Sequence, residues 1–105
     1  MSRDVQKEIH DLVHTNRVVL FMKGTPQFPQ CGFSSAAAQM LKMAGCGEFA
    51  TVNVLADNDI REGVKQYANW PTIPQLYVNG EFIGGADIMR ELSQSGELAQ
   101  LVSSN

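Results

Sequence analysis

The sequence predicts an α/β fold in which a four-stranded mixed sheet is flanked by helices. Apolar residues at helical spacing alternate along the chain with short runs of β-forming residues, in the order αβαβα and then ββα. The first β-α-β unit requires a parallel crossover, whereas the last two strands are separated by a two-residue turn and must be antiparallel. No linker, repeat or low-complexity tract interrupts the 105 residues, so we interpret 1–105 as one domain.

The first half of the chain is interpreted as helix, strand and helix. Four apolar residues at helical spacing predict an amphipathic helix over roughly 4–15: Val5, Ile9, Leu12 and Val13. The run RVVLFMK (17–23) is short, apolar and rich in β-formers, which indicates a buried strand. A proline-containing loop follows it. The segment FSSAAAQMLKMAG (33–45) then combines strong helix formers with a stop at Gly45.

The next two elements are a strand and a helix. The run FATVNV (49–54) predicts the second strand. Asn58 or Asp59 can cap the helix that runs through IREGVKQYAN (60–69), and this helix must end before Pro71.

A hairpin gives the clearest local signal. Two alternating segments in PQLYVNGEFIGG (74–85) flank Asn79-Gly80, a pair that favours a type I′ turn. A last helix starts near Ala86-Asp87, where Asp87 can cap it. Gly96 breaks this helix before ELAQLV. The whole order of elements suits a thioredoxin-like fold.

Composition excludes several classes of function. A net charge of −3 argues against a nucleic-acid partner, which usually requires a basic surface. No apolar run approaches membrane-spanning length, and the N-terminal segment lacks the apolar region of a signal peptide. Its acidic residues also argue against an intact transit peptide. The two cysteines do not form a secreted disulfide framework, so we expect a reducing compartment: the cytoplasm of a bacterium, or an organelle matrix after processing.

Cys31 lies where the proline-containing loop turns into a helix. Four free backbone N–H groups and the positive end of the helix dipole meet at such a junction. Lys23, at the end of the preceding strand, adds a second positive charge, and both effects lower a thiol pKa. The alternative is a buried structural cysteine, but a junction beside Gly32 and two prolines is a poor core position. We therefore interpret Cys31 as a reactive thiolate.

Ser34 stands where a C-x-x-C dithiol loop would carry its second sulfur. A hydroxyl cannot resolve a mixed disulfide. Cys46 lies beyond the far end of the same helix, about 20 Å or more away if the helix is straight, whereas a disulfide requires Cα atoms within about 7 Å. Either an external thiol resolves the intermediate, or Cys31 is a metal ligand. A 2Fe-2S cluster usually takes four thiolates, so one cysteine per chain predicts a homodimer that borrows two sulfurs from a small thiol such as glutathione.

Several motifs together carry a family resemblance: KGTP at 23–26, CGFS at 31–34, and WPTIPQLYVNGEFIGG at 70–85 followed by Asp87. Their order and spacing resemble the single-domain monothiol glutaredoxins of the CGFS type, the iron–sulfur group found in bacteria and mitochondria. The resemblance covers nearly the whole chain and implies a thioredoxin-like fold.

The resemblance implies a site for glutathione with Cys31 as the catalytic or cluster-binding residue. The implied site residues are Lys23, Cys31, Phe33, Arg61, Thr72, Ile73, Pro74, Gly85, Ala86 and Asp87. Lys23 and Arg61 would pair with the glycine carboxylate. Ile73 would offer its backbone to the cysteinyl part of the peptide. Pro74, which follows it, is cis in the family.

Backbone N–H groups at Ala86 and Asp87 would bind the γ-glutamyl carboxylate, and the Asp87 side chain would pair with the ammonium group. Phe33 and Thr72 would line the pocket. Each residue has a plainer alternative, because the two cations alone would be surface charges and Asp87 alone would be an N-cap. We interpret Trp70 as a packing residue rather than a ligand contact.

One departure from the family pattern bears on mechanism. Many relatives read GGCD, with a second cysteine near the active one, whereas this chain has Ala86 there. The substitution removes an internal resolving thiol and favours cluster binding. The resemblance then implies a carrier that passes the cluster onward, with BolA-like and iron–sulfur assembly or acceptor proteins as partners. The alternative is a glutathione-dependent oxidoreductase that removes glutathione from proteins, with Cys31 as nucleophile.

His10 and His14 have the i, i+4 spacing of a zinc-binding pair. They fall opposite the apolar stripe of the first helix, and no third ligand is evident. We therefore interpret them as part of a solvated face.

Overall fold

The computed structural model describes residues 3–103 and contains the predicted order of helices and strands, followed by a short fifth helix that was not predicted. The helices are α1 (Val5–Thr15), α2 (Gly32–Met43), α3 (Asn58–Ala68), α4 (Ala86–Ser95) and α5 (Glu97–Val102). The strands are β1 (Val18–Met22), β2 (Ala50–Asn53), β3 (Gln75–Val78) and β4 (Glu81–Gly84). Within residues 3–103, no helix has both the length and the apolar character needed to cross a membrane.

The four strands form one mixed sheet in the order β2-β1-β3-β4. β1 and β2 are parallel, while β3 is antiparallel to both β1 and β4, which confirms the predicted crossover and hairpin. The C-terminal ends of β1, β2 and β4 and the N-terminal end of β3 consequently share one edge of the sheet. The segments that carry Lys23, Cys31, Ile73 and Ala86 all begin or end at this edge, so the topology collects them.

The central strand β1 is buried on both sides because helices cover both faces of the sheet. All five residues of β1 are buried. Val18, Leu20 and Met22 pack into the cluster with α2, α4 and α5, whereas Val19 and Phe21 pack into the cluster with α1 and α3. The continuous apolar run that predicted a buried strand therefore serves two cores of alternating residues.

The helix caps differ from those predicted. The carboxylate of Asp57 accepts hydrogen bonds from the backbone N–H groups of Asp59 and Ile60, so Asp57 caps α3 rather than Asn58 or Asp59. Asp57 has the extended backbone that an N-cap requires, with φ −150°. The helix α2 begins at Gly32, one residue before the predicted segment 33–45. Its N-cap is Cys31, which also has an extended backbone.

The N-terminus of α4 was also predicted with the wrong cap. Gly85 occupies the N-cap position, and no side chain supplies a capping hydrogen bond. Asp87 lies within the first turn, and its side chain is 88% exposed. The free N–H groups of this turn are therefore not satisfied by Asp87, contrary to expectation.

Two turns shape the edges of the sheet. Asn79 and Gly80 have φ of 53° and 82°, as a type I′ turn requires. The predicted strand 49–54 ends at Asn53, because Val54–Ala56 form a 3₁₀ turn. The Asn53 side chain accepts from the N–H groups of both Leu55 and Gly24, at 3.0 and 2.9 Å, and so ties this turn to the loop after β1.

We expect Gly84→Ala to lower the free energy of unfolding by about 2 kcal/mol or more. Gly84 has φ +153°, and a Cβ there would lie 2.6 Å from Cβ of Ile88. For a domain of this size the loss corresponds to a melting temperature lower by about 10 °C. Gly47→Ala is the control, because a Cβ at Gly47 meets no atom within 4 Å. Equal melting temperatures for the two variants would contradict the prediction.

Candidate functional site

A groove of about 400 Å³ opens at the edge of the sheet where the loop and helix ends converge. All ten residues that the resemblance implies for the glutathione site line it. Four residues that were not predicted also line it: Lys65, Trp70, Pro71 and Ile88. The sequence reasoning passed over Lys65, although its position four residues after Arg61 on the same predicted helix would have indicated it.

Cys31 is a half-buried free thiol at the N-terminus of α2. Its pKa is lowered chiefly by a hydrogen bond from the backbone N–H of Ser34. The Phe33 N–H, the Ser34 hydroxyl and the charge of Lys23 act in the same direction, while burial of the sulfur opposes them. The predicted causes, a helix N-terminus and a nearby lysine, thus both contribute to a lowered pKa at Cys31.

Ser34 has a structural role that the sequence interpretation missed. Its side chain is fully buried, and its hydroxyl oxygen accepts from the backbone N–H of Lys23 at 3.0 Å. The same hydroxyl lowers the pKa of Cys31. Ser34 is the third residue of α2, and a side chain at that position can reach back to the N-cap, as in a capping box. The three-residue spacing of Cys31 and Ser34 could therefore have predicted that the Ser34 side chain reaches back to the N-cap.

We expect Ser34→Ala to raise the pKa of Cys31 and slow its alkylation by iodoacetamide at pH 7. The thiolate is the reactive form, so losing a hydrogen bond to it moves the rate profile to higher pH. The backbone N–H of Ser34 remains, so the shift is partial. The measurement uses a Cys46→Ser background, in which Cys31 is the one remaining thiol. Ser35→Ala, at an exposed neighbouring position, is the control. Identical profiles for both variants would contradict this role of Ser34.

Three cations line the groove: Lys23, Arg61 and Lys65. The Lys65 ammonium group lies 3.3 Å from the Glu62 carboxylate. The Nε atom of Arg61 is buried and, in the part of the chain that the structure describes, has no hydrogen-bond partner. A buried donor without a partner is costly. Together the three cations favour an anionic ligand in the groove.

The segment between α3 and β3 forms one wall of the groove. The peptide bond between Ile73 and Pro74 is cis, as the resemblance implies. Trp70 packs against Phe82 with ring centroids 5.5 Å apart, which confirms the expected packing role, but it lines the groove as well. A Cβ at Gly85 would lie 3.3 Å from the Trp70 indole nitrogen and 3.2 Å from the Pro74 carbonyl oxygen. A glycine at position 85 therefore lets the start of α4 lie close to this wall.

The N-terminal turn of α4 forms an adjoining wall. Gly85, Ala86 and Asp87 all line the groove, and the turn has no side-chain cap. Its N–H groups and the helix dipole favour an anion at this point. The nearest charged neighbour of the Asp87 carboxylate is Arg90, at 3.8 Å.

The second cysteine and the two histidines lie outside the groove. Cys46 is buried in the cluster with α2, and its thiol donates to the Glu48 carbonyl at 3.4 Å. Burial raises the pKa of Cys46, in contrast to Cys31. His10 and His14 are exposed and stack on each other with centroids 4.0 Å apart. Among residues 3–103, no three His, Cys, Asp or Glu side chains cluster to hold a metal ion.

Comparisons with known proteins identify relatives of the chain. Residues 18–83 match the family model for glutaredoxin. The chain is 55% identical over 102 residues to an uncharacterized monothiol glutaredoxin, ycf64-like, from Synechocystis, covering 97% of this chain and 94% of that one. It is 52% identical over 104 residues to mitochondrial monothiol glutaredoxin-5 of Saccharomyces cerevisiae, covering 97% and 69%. The solution structure of reduced poplar apo GrxS14 is similar with a TM-score of 0.78 at 48% identity, covering 91% and 87%.

Proposed function

This chain belongs to the glutaredoxin family as a monothiol member, and on that premise we propose that it binds glutathione in the groove around Cys31. The observation that carries the proposal is the convergence of the Cys31 thiol, the cations Lys23 and Arg61 and the uncapped N-terminal turn of α4 on one groove. The glycine carboxylate of glutathione would accept from Arg61 and Lys23. The groove volume, about 400 Å³, lies within the range of small-molecule sites.

The rest of the peptide has a complementary surface along the groove. The backbone of Ile73 would pair with the cysteinyl part of glutathione, and Phe33, Thr72 and Pro74 would contact it. Uncapped N–H groups at the start of α4 would bind the γ-glutamyl carboxylate, and Asp87 would pair with the ammonium group. This arrangement would bring the glutathione sulfur toward Cys31, because Cys31 and Ile73 lie at the same edge of the sheet.

We extend the proposal to a 2Fe-2S cluster shared by two copies of the chain, each contributing Cys31 and one glutathione. Four thiolates then bind the two irons. The lowered pKa of Cys31 supports this because a ligating sulfur must be a thiolate. The absence of a resolving thiol supports it too. Cys46 is buried in the core, and the side chain at Ala86 has no sulfur.

The second candidate is a glutathione-dependent oxidoreductase. In that reaction the Cys31 thiolate attacks the glutathione sulfur of a protein mixed disulfide and releases the protein thiolate. A second glutathione thiolate then attacks the Cys31–glutathione disulfide, which returns the Cys31 thiolate and yields glutathione disulfide. The low pKa and partial exposure of Cys31 favour this chemistry.

Anaerobic reconstitution with iron, sulfide and glutathione separates the two functions. The carrier proposal predicts a coloured dimer by visible absorption and sizing, and a dimer that reverts to a colourless monomer when glutathione is removed. A protein that stays colourless and monomeric under these conditions contradicts it. Rapid turnover of a small glutathione mixed disulfide by that same monomer would instead support the oxidoreductase.

We propose that residues 1–105 act as one glutaredoxin domain, with BolA-like proteins and iron–sulfur assembly or acceptor proteins as partners. The relatives include a cyanobacterial and a mitochondrial protein. Bacterial cytoplasm or the mitochondrial matrix is the compartment that suits a reduced Cys31.

A further inference from the structure

Gln75 is one of two polar residues that are fully buried in the described part of the chain, and the other is Ser34. It lies on β3, a strand whose four residues are all buried. An amide buried without hydrogen bonds would cost about 2–7 kcal/mol relative to water. An apolar residue at this position would carry no such cost. Gln75 does not line the groove, so direct contact with a ligand does not explain its presence.

Each hydrogen-bonding group of the Gln75 side-chain amide has a partner. Its Nε2 group donates to the carbonyl oxygens of Trp70 and Thr72, at 3.2 and 3.3 Å. Its Oε1 atom accepts from the Tyr77 hydroxyl at 2.9 Å. Both side-chain N–H donors and the oxygen are therefore engaged. Tyr77 is held in turn by aromatic contact with Phe21, with ring centroids 5.5 Å apart.

The wall that Gln75 holds has few hydrogen bonds of its own. Residues 70–74 connect α3 to β3, and Pro71 and Pro74 have no N–H to donate. In the described chain, the one backbone hydrogen bond that this segment makes outside helices and strands joins the Trp70 N–H to the Lys65 carbonyl at 2.9 Å. The carbonyls of Trp70 and Thr72 are positioned from the core side by Gln75.

The same segment presents its other side to the groove. Trp70, Thr72 and Ile73 all line it. Gln75 thus contacts the inner side of the wall whose outer side faces the proposed ligand. We propose that Gln75 is a positioning residue for the glutathione site, which fixes the wall 70–74 so that the Ile73 backbone meets the bound peptide. This inference rests on the proposed function.

Gln75→Met tests the inference because methionine keeps the length and shape of the side chain but makes no hydrogen bonds. We expect the dissociation constant for reduced glutathione, measured by calorimetry, to rise about tenfold, since the wall must then be ordered on binding. Trp70 is the one tryptophan of the chain and reports the wall directly. Its fluorescence should become about twofold more accessible to acrylamide in the variant without glutathione.

Val102→Ala is the matched control, because it removes buried apolar atoms from the cluster with α5, away from the groove. It should lower the melting temperature and leave both the glutathione affinity and the Trp70 quenching unchanged. If the control weakens binding by the same factor, the role of Gln75 is general stability and the inference is overturned. A folded Gln75→Met variant with unaltered affinity and quenching also overturns it.

The two readouts separate this inference from the proposed function. If the unaltered protein binds no glutathione, the proposed function fails, and the Trp70 quenching still decides whether Gln75 fixes the wall. If Gln75→Met does not fold, hydrogen exchange of side-chain amides in the unaltered protein takes its place. Both Gln75 amide protons should exchange at least about tenfold more slowly than those of the exposed Gln39. Equal rates overturn the inference.

Discussion

A Cys31→Ser variant is expected to form no coloured, glutathione-dependent dimer on anaerobic reconstitution, a complete loss of the visible absorption. Cys31 is the groove thiol, and its pKa is lowered by the Ser34 N–H. A serine hydroxyl at the same place does not ionise near neutral pH and is a poor ligand for iron. Each variant chain therefore offers no thiolate in the groove, and two chains with two glutathiones cannot complete a four-thiolate cluster.

Cys46→Ser is the control for this experiment, because it makes the same chemical change at the second free thiol. Cys46 is 4% exposed and donates to the Glu48 carbonyl, a bond that serine can keep. We expect the unaltered absorption and dimer from this variant. Loss of the cluster in Cys46→Ser, or its retention in Cys31→Ser, would show that the ligands are not those proposed.

Arg61→Met is expected to weaken glutathione binding by about 10- to 150-fold, since a hydrogen bond to a charged group contributes about 1.5–3 kcal/mol. The methionine keeps the apolar stem of the side chain and removes the guanidinium. The unliganded variant should be at least as stable as the unaltered protein, because the buried Nε without a partner is removed as well. Calorimetric titration and thermal unfolding measure the two effects.

Lys7→Met controls for net charge. It also removes one positive charge, on an exposed side chain of α1 whose ion pair is with Asp11. We expect its glutathione affinity to be nearly unchanged, because Lys7 does not line the groove and its exposed charge is screened by salt. If Lys7→Met and Arg61→Met weaken binding equally, the field of the whole protein and not a contact with Arg61 attracts the ligand.

Local signals account for what the sequence predicted well. The buried strand at 17–23, the turn at Asn79-Gly80 and the break at Gly96 each depend on a few neighbouring residues, and all three lie where they were predicted. The ten residues of the implied site also share one groove, because the parallel crossover and the hairpin bring their segments to one edge.

Helix caps were predicted less well because they depend on backbone geometry over single residues. Asn58, Asp59 and Asp87 are all acceptable cap residues by type. The extended backbone, however, falls at Asp57 before α3 and at Gly85 before α4. Residue type limits the choice to a few neighbours, and the path of the chain into the helix selects among them.

The sequence by itself determined the fold class, the family and the place of Cys31 at the start of a helix, since these follow from periodicity, turn chemistry and motif spacing. Tertiary structure alone decided how that cysteine and its groove are held. It joined Ser34 to the Lys23 N–H, buried the Arg61 Nε without a partner among residues 3–103, and set Gln75 beneath the groove wall. Burial and the direction of a hydrogen bond depend on segments that meet only after folding, so no local pattern carries them.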